Sequence, residues 1–585
     1  MNSFFSLLLK RFTPFKSWIG ELKNKEVLKA DIIAGTTVAL VLIPQSMAYA
    51  QLAGLPVHIG LYASFLPVMV AAFFGSSRQL ATGPVAIVSL MTAIALQPIA
   101  TANPEGFIVY AALLSLLVGI FQLSLGLLKL GVVVNFLSHP VVVGFTNAGA
   151  LIIASSQLNK VFGVKAGVGE HQYEVVWGTI QNAISGTNLT TLIIAICSII
   201  LLIIIKKINK KLPGVLIAVT VFTIVSYYIG YENIGGAKSI IGEIPKGLPG
   251  FKLPPFDLEQ IKALMSTAIV ISLVGFMEAI SIAKGMASQD KKAISANQEL
   301  VGQGLSNIVG SFFQGYPVSG SFSRSAVNFS AGAKTGFSSV VTGIIVAFAL
   351  LFLTPLLYHL PQATLAAVII MAVINLIKIE PIIHAFKVQK HDGIVSIITF
   401  LSTLYFAPKL EEGIIVGVIL SIGLFIYRTS KPNFAELSLH KSGDLRGAKV
   451  FGLKTSKNVG MYRFDGPLYF GNAGYFEGKL LKFVGEKKGM KVIILDFQPV
   501  QEIDATGIEV IDNIIEKFGQ SGLEVYITRI RKAHYEMLEK TGFFEHFSKD
   551  KVFFKREEAL EYAKNKFGDK LDLDNFYKYI PAKQS

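Results

Sequence analysis

Through residue 430 or so, polar positions are sparse and clustered, and apolar runs of about 15–25 residues separate them. A helix needs about 20 apolar residues to cross the hydrocarbon layer, and fewer where it is broken. Such runs lie near 31–50, 57–74, 84–98, 107–129, 138–157, 188–206, 213–230, 262–284, 295–313, 320–333, 336–357, 361–378, 391–407 and 411–428. They predict about fourteen spans, some short or rich in Gly and Pro. Beyond residue 430 the pattern alternates strand-like and amphipathic helical runs. "KVIILDF" around Val492–Phe497 is β-rich, and Thr506–Phe518 has apolar residues at helical spacing. This predicts a soluble α/β domain of about 120 residues. The expected divisions are an N-terminal segment 1–30, a transmembrane domain 31–430, a linker 431–445, the α/β domain 446–565 and a loose polar tail 566–585.

Composition agrees with the pattern. The 585-residue chain is 52% hydrophobic and 16% charged, with mean hydropathy +0.54; soluble chains carry about 25% charged residues. The net charge of +15 does not point to nucleic acid, because the basic residues sit between apolar runs. Lys10, Arg11, Lys16, Lys23, Lys25 and Lys29 precede the first span. Alternate loops put Arg78, Lys129, the "KKINKK" run at 206–211, Lys284, Lys291, Lys292, Lys334, Lys378, Lys387, Lys390, Arg428 and Lys431 on the same side. The opposite side holds Lys160, Lys165 and Lys238. The positive-inside rule then makes both termini cytoplasmic and the number of spans even. The basic, amphipathic N-terminus lacks the apolar core and cleavage site of a signal peptide. The one cysteine, Cys197, can form no intramolecular disulfide and has no metal-ligand pattern around it.

One polar stretch, "GYPVSGSFSRSAVN" (315–328), stands between apolar runs and contains Arg324. Arginine at membrane depth costs at least about 2.5–3.5 kcal/mol, so it marks function by default. "ATGPVAIVSLMTA" (81–93) opens another short span. Pro84 and Pro317 lie 233 residues apart, and so do Gln45 and Glu278. Two halves of about seven spans follow, each with a polar residue in its first span and a broken helix in its third. A helix that begins in mid-membrane aims free N–H groups and its positive dipole end at that depth. Two such starts, at Pro84-Val85-Ala86 and at Ser319-Gly320-Ser321-Phe322-Ser323-Arg324, build an anion site. Gln45 can donate hydrogen bonds there or tie two helices together. Glu278 either neutralises Arg324 or carries a proton. The alternative for the Pro and Gly residues is that they only permit kinks and packing. "GQG" at 302–304 lacks the context of a phosphate loop and fits close helix contact; His58 reads as a surface or packing residue. Paired catalytic carboxylates, Ser/His/Asp sets and metal-ligand spacings are not evident.

These motifs resemble a known family. "LIPQSMAYAQLAGLP", "GLPVHIGLYASFLP" (54–67), "GPVAIVSLM" and "PVSGSFSRSAVN" are similar to stretches of the sulfate permease (SulP) family of anion transporters. The resemblance makes Ser323 and Arg324 the Ser-Arg pair at the anion site and puts Glu278 where the family often has an acidic residue. "GPLYFGNAGYF" (466–476) and "LDFQPVQEIDATG" (495–507) resemble the STAS domain shared with anti-sigma factor antagonists. The resemblance covers about residues 25–565. It implies a seven-plus-seven inverted repeat of α-helical spans, as in nucleobase permeases, with core and gate domains and a C-terminal α/β STAS domain. It implies a homodimer with elevator-like movement of core against gate, and no cofactor. STAS relatives are phosphorylated where this chain has Thr506; the simpler expectation is that Thr506 caps a helix.

The expected activity is secondary transport of an anion, with sulfate and proton symport first. Roughly +0.5 from each half-helix, +1 from Arg324 and −1 from Glu278 leave about +1; protonating Glu278 gives about +2, which matches a dianion. Bicarbonate, chloride or dicarboxylate transport, sodium coupling, exchange and channel-like conduction remain open, as do nucleobase transport and a membrane-anchored signalling role. The expected partners are the anion, a co-transported proton or sodium ion, the lipid bilayer, a second copy of the chain and a cytoplasmic protein on the STAS domain.

Overall fold

The computed structural model describes residues 11–102, 106–132, 138–209, 212–236, 239–290, 293–374 and 376–579, with the side chains of 98–102, 288–290 and 577–579 left aside. Lys10, Lys210, Lys211, Lys238, Lys291 and Lys292, used above for orientation, lie outside the described residues, as do 1–10 of the N-terminal segment and 580–585 of the tail. The chain divides into two compact units, Met1–Ser421 and Ile422–Ser585.

The first unit is helical, and each apolar run of the sequence coincides with a helix or a broken helix. Among the described residues, eight helical segments are long and apolar enough to cross a membrane. Ala86–Gln97, Gly214–Tyr228 and Gln362–Ile374 are shorter apolar helices. Breaks follow local chemistry. Val57–Tyr62 and Leu66–Phe74 are separated at Ala63–Phe65, with Pro67 in the first turn of the second piece. Phe337–Phe348 loosens into a π turn at Ala349–Leu353 and a 3₁₀ turn at Thr354–Leu357 that begins around Pro355. In the Lys25–Leu52 helix, Pro44 removes one rung of the hydrogen-bond ladder beside Gln45.

The two halves repeat in order. A long helix (Lys25–Leu52; Leu258–Asp290) is followed by a second helical stretch (Val57–Phe74; Ala296–Phe312). A two-residue strand and a helix come next: β1 (Thr82–Gly83) with Ala86–Ala102, and β2 (Ser319–Gly320) with Phe322–Ser330. Lys25 and Leu258 are 233 residues apart, the spacing seen for the proline pair. β1 and β2 pair antiparallel, Thr82 with Gly320 and Gly83 with Ser319. Gly302 and Gly304 serve close helix contact: a Cβ at Gly302 would stand 2.6 Å from the Gly75 backbone.

The second unit is a six-stranded sheet in the order β4-β3-β5-β6-β7-β8. These strands are β3 (Asn433–Leu439), β4 (Leu445–Gly447), β5 (Val459–Asp465), β6 (Val492–Asp496), β7 (Glu524–Thr528) and β8 (Val552–Phe553). β5 to β8 are parallel, and β3 is antiparallel to its neighbours β4 and β5. β6 is buried throughout because both faces are covered. Ile493 and Leu495 pack toward Phe476, Ile511, Ile514 and Leu538, while Val492 and Ile494 pack toward Ala559, Leu560 and Ala563. Two expectations need correction. The stretch 431–445 is no linker: it contains β3, which carries the buried Phe434 and Leu437 into the sheet. The tail is not loose as far as Phe576. Leu571 and Phe576 are buried against the second face, and Ser456 Oγ donates to the Asp572 carbonyl at 2.6 Å. Polar composition hid these two apolar anchors.

Candidate functional site

The β1–β2 ladder sets two helix starts beside each other within the first unit. Pro84 and Val85 lead into the Ala86–Ala102 helix, whose ladder begins with Ser89 N–H donating to the Val85 carbonyl. Ala86, Ile87 and Val88 therefore lie in a first turn with no carbonyl four residues back in the helix. On the other side Ser321 is the N-cap of Phe322–Ser330. Its hydroxyl accepts from the Arg324 N–H, and its own N–H donates to the Ala81 carbonyl at 3.0 Å. Ser325 Oγ accepts from the Ala81 N–H at 2.9 Å. The two starts are thus stitched together by main chain and by two serines.

Arg324 is fully buried. Its Nη1 donates to Gln45 Oε1 at 3.4 Å, while Nε and Nη2 find no partner among the described residues. Gly83 lies directly against the guanidinium: a Cβ there would stand 3.3 Å from Nη2, and its φ of +152° belongs to glycine. The expected residues Gln45, Pro84, Val85, Ala86, Gly320, Ser321 and Arg324 gather in this region. Ser323 is exposed, with its hydroxyl 3.3 Å from that of Ser321, and Phe322 is exposed as well. Ser319 is next to them, but its hydroxyl donates to the Gly275 carbonyl at 2.6 Å. Glu278 follows Gly275 by one turn on the same helix and is half-buried. Among the described residues it makes no ion pair within 4 Å; Arg324 and Lys378 lie in electrostatic range.

Several contributors escaped the sequence reading. Tyr49 and Tyr316 are buried and within electrostatic range of Arg324. Tyr49 follows Gln45 by four residues, one helical turn along the same face, which was the available signal. Tyr316 shares a hydrogen bond with Ser89 at 2.9 Å. Behind the ladder, Gln303 Nε2 donates to Thr82 Oγ1 at 2.8 Å. Asn307 accepts from the Val318 N–H at 2.8 Å and donates to Gln122 Oε1 at 3.1 Å. This buried amide network fixes the ladder's position. Lys378 had no local signal; its ammonium stands 5.8 Å from the Phe322 ring centroid. His58 packs against Tyr62 with ring centroids 5.3 Å apart.

In the second unit Thr506 sits half-buried in the first turn of the Ala505–Gln520 helix. It is not the cap. Asp504 is, with Oδ1 accepting from the Gly507 N–H at 2.8 Å and Oδ2 from the Phe470 N–H at 2.9 Å. At the end of β6, the buried Asp496 accepts from Arg529 Nε at 3.0 Å and Nη2 at 2.6 Å, and also from Arg556. Burial opposes its ionisation, but the hydrogen bonds and charges of the two arginines outweigh that and hold the carboxyl below its ordinary range.

Comparison with known proteins follows the same division. The sulfate permease family matches residues 28–399, and the STAS domain matches residues 451–559. "Sulfate transporter 4.1, chloroplastic" of Arabidopsis thaliana is 35% identical over 94% of this chain and 82% of its own length. "High affinity sulfate transporter 2" of Stylosanthes hamata is 31% identical over 95% of this chain and 87% of its own. Among solved structures, the murine Solute Carrier 26 family member A9 anion transporter in the inward-facing state aligns with TM-score 0.86. It has 26% identity over 96% of this chain and 95% of that one.

Proposed function

The chain belongs to the sulfate permease family, a multi-pass membrane transporter with a C-terminal STAS domain, and from that premise we propose that it carries a small anion, sulfate first. One observation carries this reading. Arg324 is buried with two unpartnered nitrogens beside two first turns, where the N–H groups of Ala86, Ile87, Val88, Phe322 and Ser323 have no carbonyl four residues back in their helix. A buried guanidinium in this setting calls for a negative partner, and no carboxylate forms an ion pair with it among the described residues. The relatives named as sulfate transporters, 31–35% identical over most of the chain, support sulfate as the cargo.

The fourteen spans, the transmembrane domain 31–430, the homodimer and a shift of core against gate belong to the same proposal. So do a location in the cell membrane and cytoplasmic placement of the N-terminus and STAS domain. Glu278 is proposed as the proton carrier, because its protonation raises the positive charge available to a dianion. Thr506 is proposed as a regulatory position in the STAS domain: a phosphate there would set a second negative charge beside the capping Asp504 and loosen the turn.

A second reading has its own support. Lys378 lies in electrostatic range of Glu278, so the site holds more positive charge than Arg324 and two half-helices supply. A dianion then needs no proton, and exchange or sodium coupling becomes sufficient. Uptake of labelled sulfate, bicarbonate, chloride and dicarboxylates into proteoliposomes, with and without proton and sodium gradients, decides between them. Failure to take up any anion would overturn the anion assignment.

A further inference from the structure

A second polar cavity lies along the same two helices that build the Arg324 site. It measures about 240 Å³ and is lined in part by Gln51, Gln97, Ser156, Gln157, Asn159 and Lys160. Gln51 follows Gln45 by six residues on the Lys25–Leu52 helix, a rise of about 9 Å. Leu90 and Ala93, also on its wall, follow Ala86 by four and seven residues, a rise of about 6–10 Å. Both helices thus run from the Arg324 site toward this cavity. The opposite wall comes from the end of His139–Ser156 and from Leu158–Phe162.

Among the described residues the lining contains one cation and no acidic side chain. Lys160 donates one N–H to Gln51 Oε1 at 3.3 Å and makes no ion pair among the described residues. An ammonium carries three donors, so two remain to be met. Gln157 Oε1 and Asn159 Oδ1 are buried without a donor among the described residues, which favours a hydrated cavity. A lysine at a helix end often only snorkels toward water. Here it is drawn instead onto a wall shared with the two site helices.

We infer that Lys160 forms a staging site where a partly hydrated anion waits before or after its passage past Arg324. This inference rests on the anion-transport reading and adds a station to it. With the N-terminus cytoplasmic, both helices end toward the outer side, so the staging site serves anions arriving from or leaving to that side. A charge-assisted contact made there contributes to capture. It is absent from the innermost bound state, so its loss acts on KM and spares kcat.

The test uses the full chain in proteoliposomes with labelled sulfate offered from the outer side. Lys160→Gln should raise KM about tenfold with kcat within about twofold, and Lys160→Arg should restore the wild-type KM. Charge rescue separates a local electrostatic role from a folding defect. In a Cys197→Ser background, Lys160→Cys should regain a low KM after reaction with a cationic aminoethyl thiosulfonate and not after a neutral methyl one. An unchanged KM in Lys160→Gln, or equal behaviour with the two reagents, overturns the staging site. Arg324→Ala is run alongside. If it loses uptake while the Lys160 variants match wild type, the staging site falls and the Arg324 reading stands. If wild type takes up no sulfate or other anion, both fall.

Discussion

Arg324 Nη1 lies 3.4 Å from Gln45 Oε1, a contact that spans 279 residues of chain and links the two halves of the membrane unit. Gln45 restrains one nitrogen, and the other two have no partner among the described residues. Replacing Arg324 with Ala should weaken sulfate binding about 100-fold, the usual scale for losing a buried charged partner. Gln45→Ala should cost less, because it positions the guanidinium and supplies no charge. Equilibrium binding of labelled sulfate to the purified variants measures both. Equal losses would mean that Gln45 itself touches the anion.

Gly83 sits where any side chain would press on the Arg324 guanidinium, and its backbone is one that L-residues avoid. Gly83→Ala should add about 1–3 kcal/mol of strain and shift β1 against β2. Uptake should fall at least about fivefold. Gly149→Ala, at a position where a Cβ meets nothing within 4 Å, is the control and should be near neutral. Uptake rates normalised to protein amount give the comparison.

If Glu278 carries the coupled proton, uptake should rise as external pH falls, since protonation removes the negative charge that competes with a dianion. Glu278→Gln mimics the protonated state and should flatten the profile while preserving binding. Lys378 attracts the ionised carboxylate, so Lys378→Gln should move the wild-type profile to higher pH. A wild-type rate flat from acid to neutral pH would reject proton coupling through Glu278.

The Asp496 clamp ties the end of β6 to Arg529, just past β7, and to Arg556, the first residue of the Arg556–Phe567 helix. Asp496→Ala leaves Arg529 and Arg556 without their carboxylate and should cost about 3 kcal/mol. Hydrogen exchange of Val492–Asp496 in the full chain should accelerate accordingly. The sign of the pH effect follows from a carboxyl held below its ordinary range. The stabilisation is complete above the unfolded value of about 3.9 and is lost as pH falls through the lower folded value. Exchange in wild type should therefore approach that of the variant only in strong acid.

The end of the membrane unit can be tested by truncation. A chain stopped at Ser430 removes the whole sheet and should retain part of its transport. A chain stopped at His440 keeps β3 without its partner β5, exposing Phe434 and Leu437 on an unpaired edge. It should aggregate more by size-exclusion chromatography. Equal behaviour of the two would show that β3 does not depend on the sheet.

The sequence by itself determined the apolar runs, the change of pattern near residue 430 and the paired broken helices at Pro84 and Pro317. Each is encoded by neighbouring residues: span length by a run of hydrophobic side chains, a helix start by Pro, Ser and Gly within one turn. Arg324 was legible as a candidate site residue for a related reason, since its cost at membrane depth is independent of its partners. Only the tertiary structure decided how those partners are arranged. Thr82 pairs with Gly320, Ser319 spends its hydroxyl on Gly275, and Tyr49 and Tyr316 approach the arginine. The same holds for Asp504 taking the cap expected of Thr506, for β3 joining the sheet and for Lys160 facing Gln51. Composition and spacing record local free energies. Which hydroxyl or amide meets which acceptor across a hundred residues or more is set by the packing of the helices and the sheet around them.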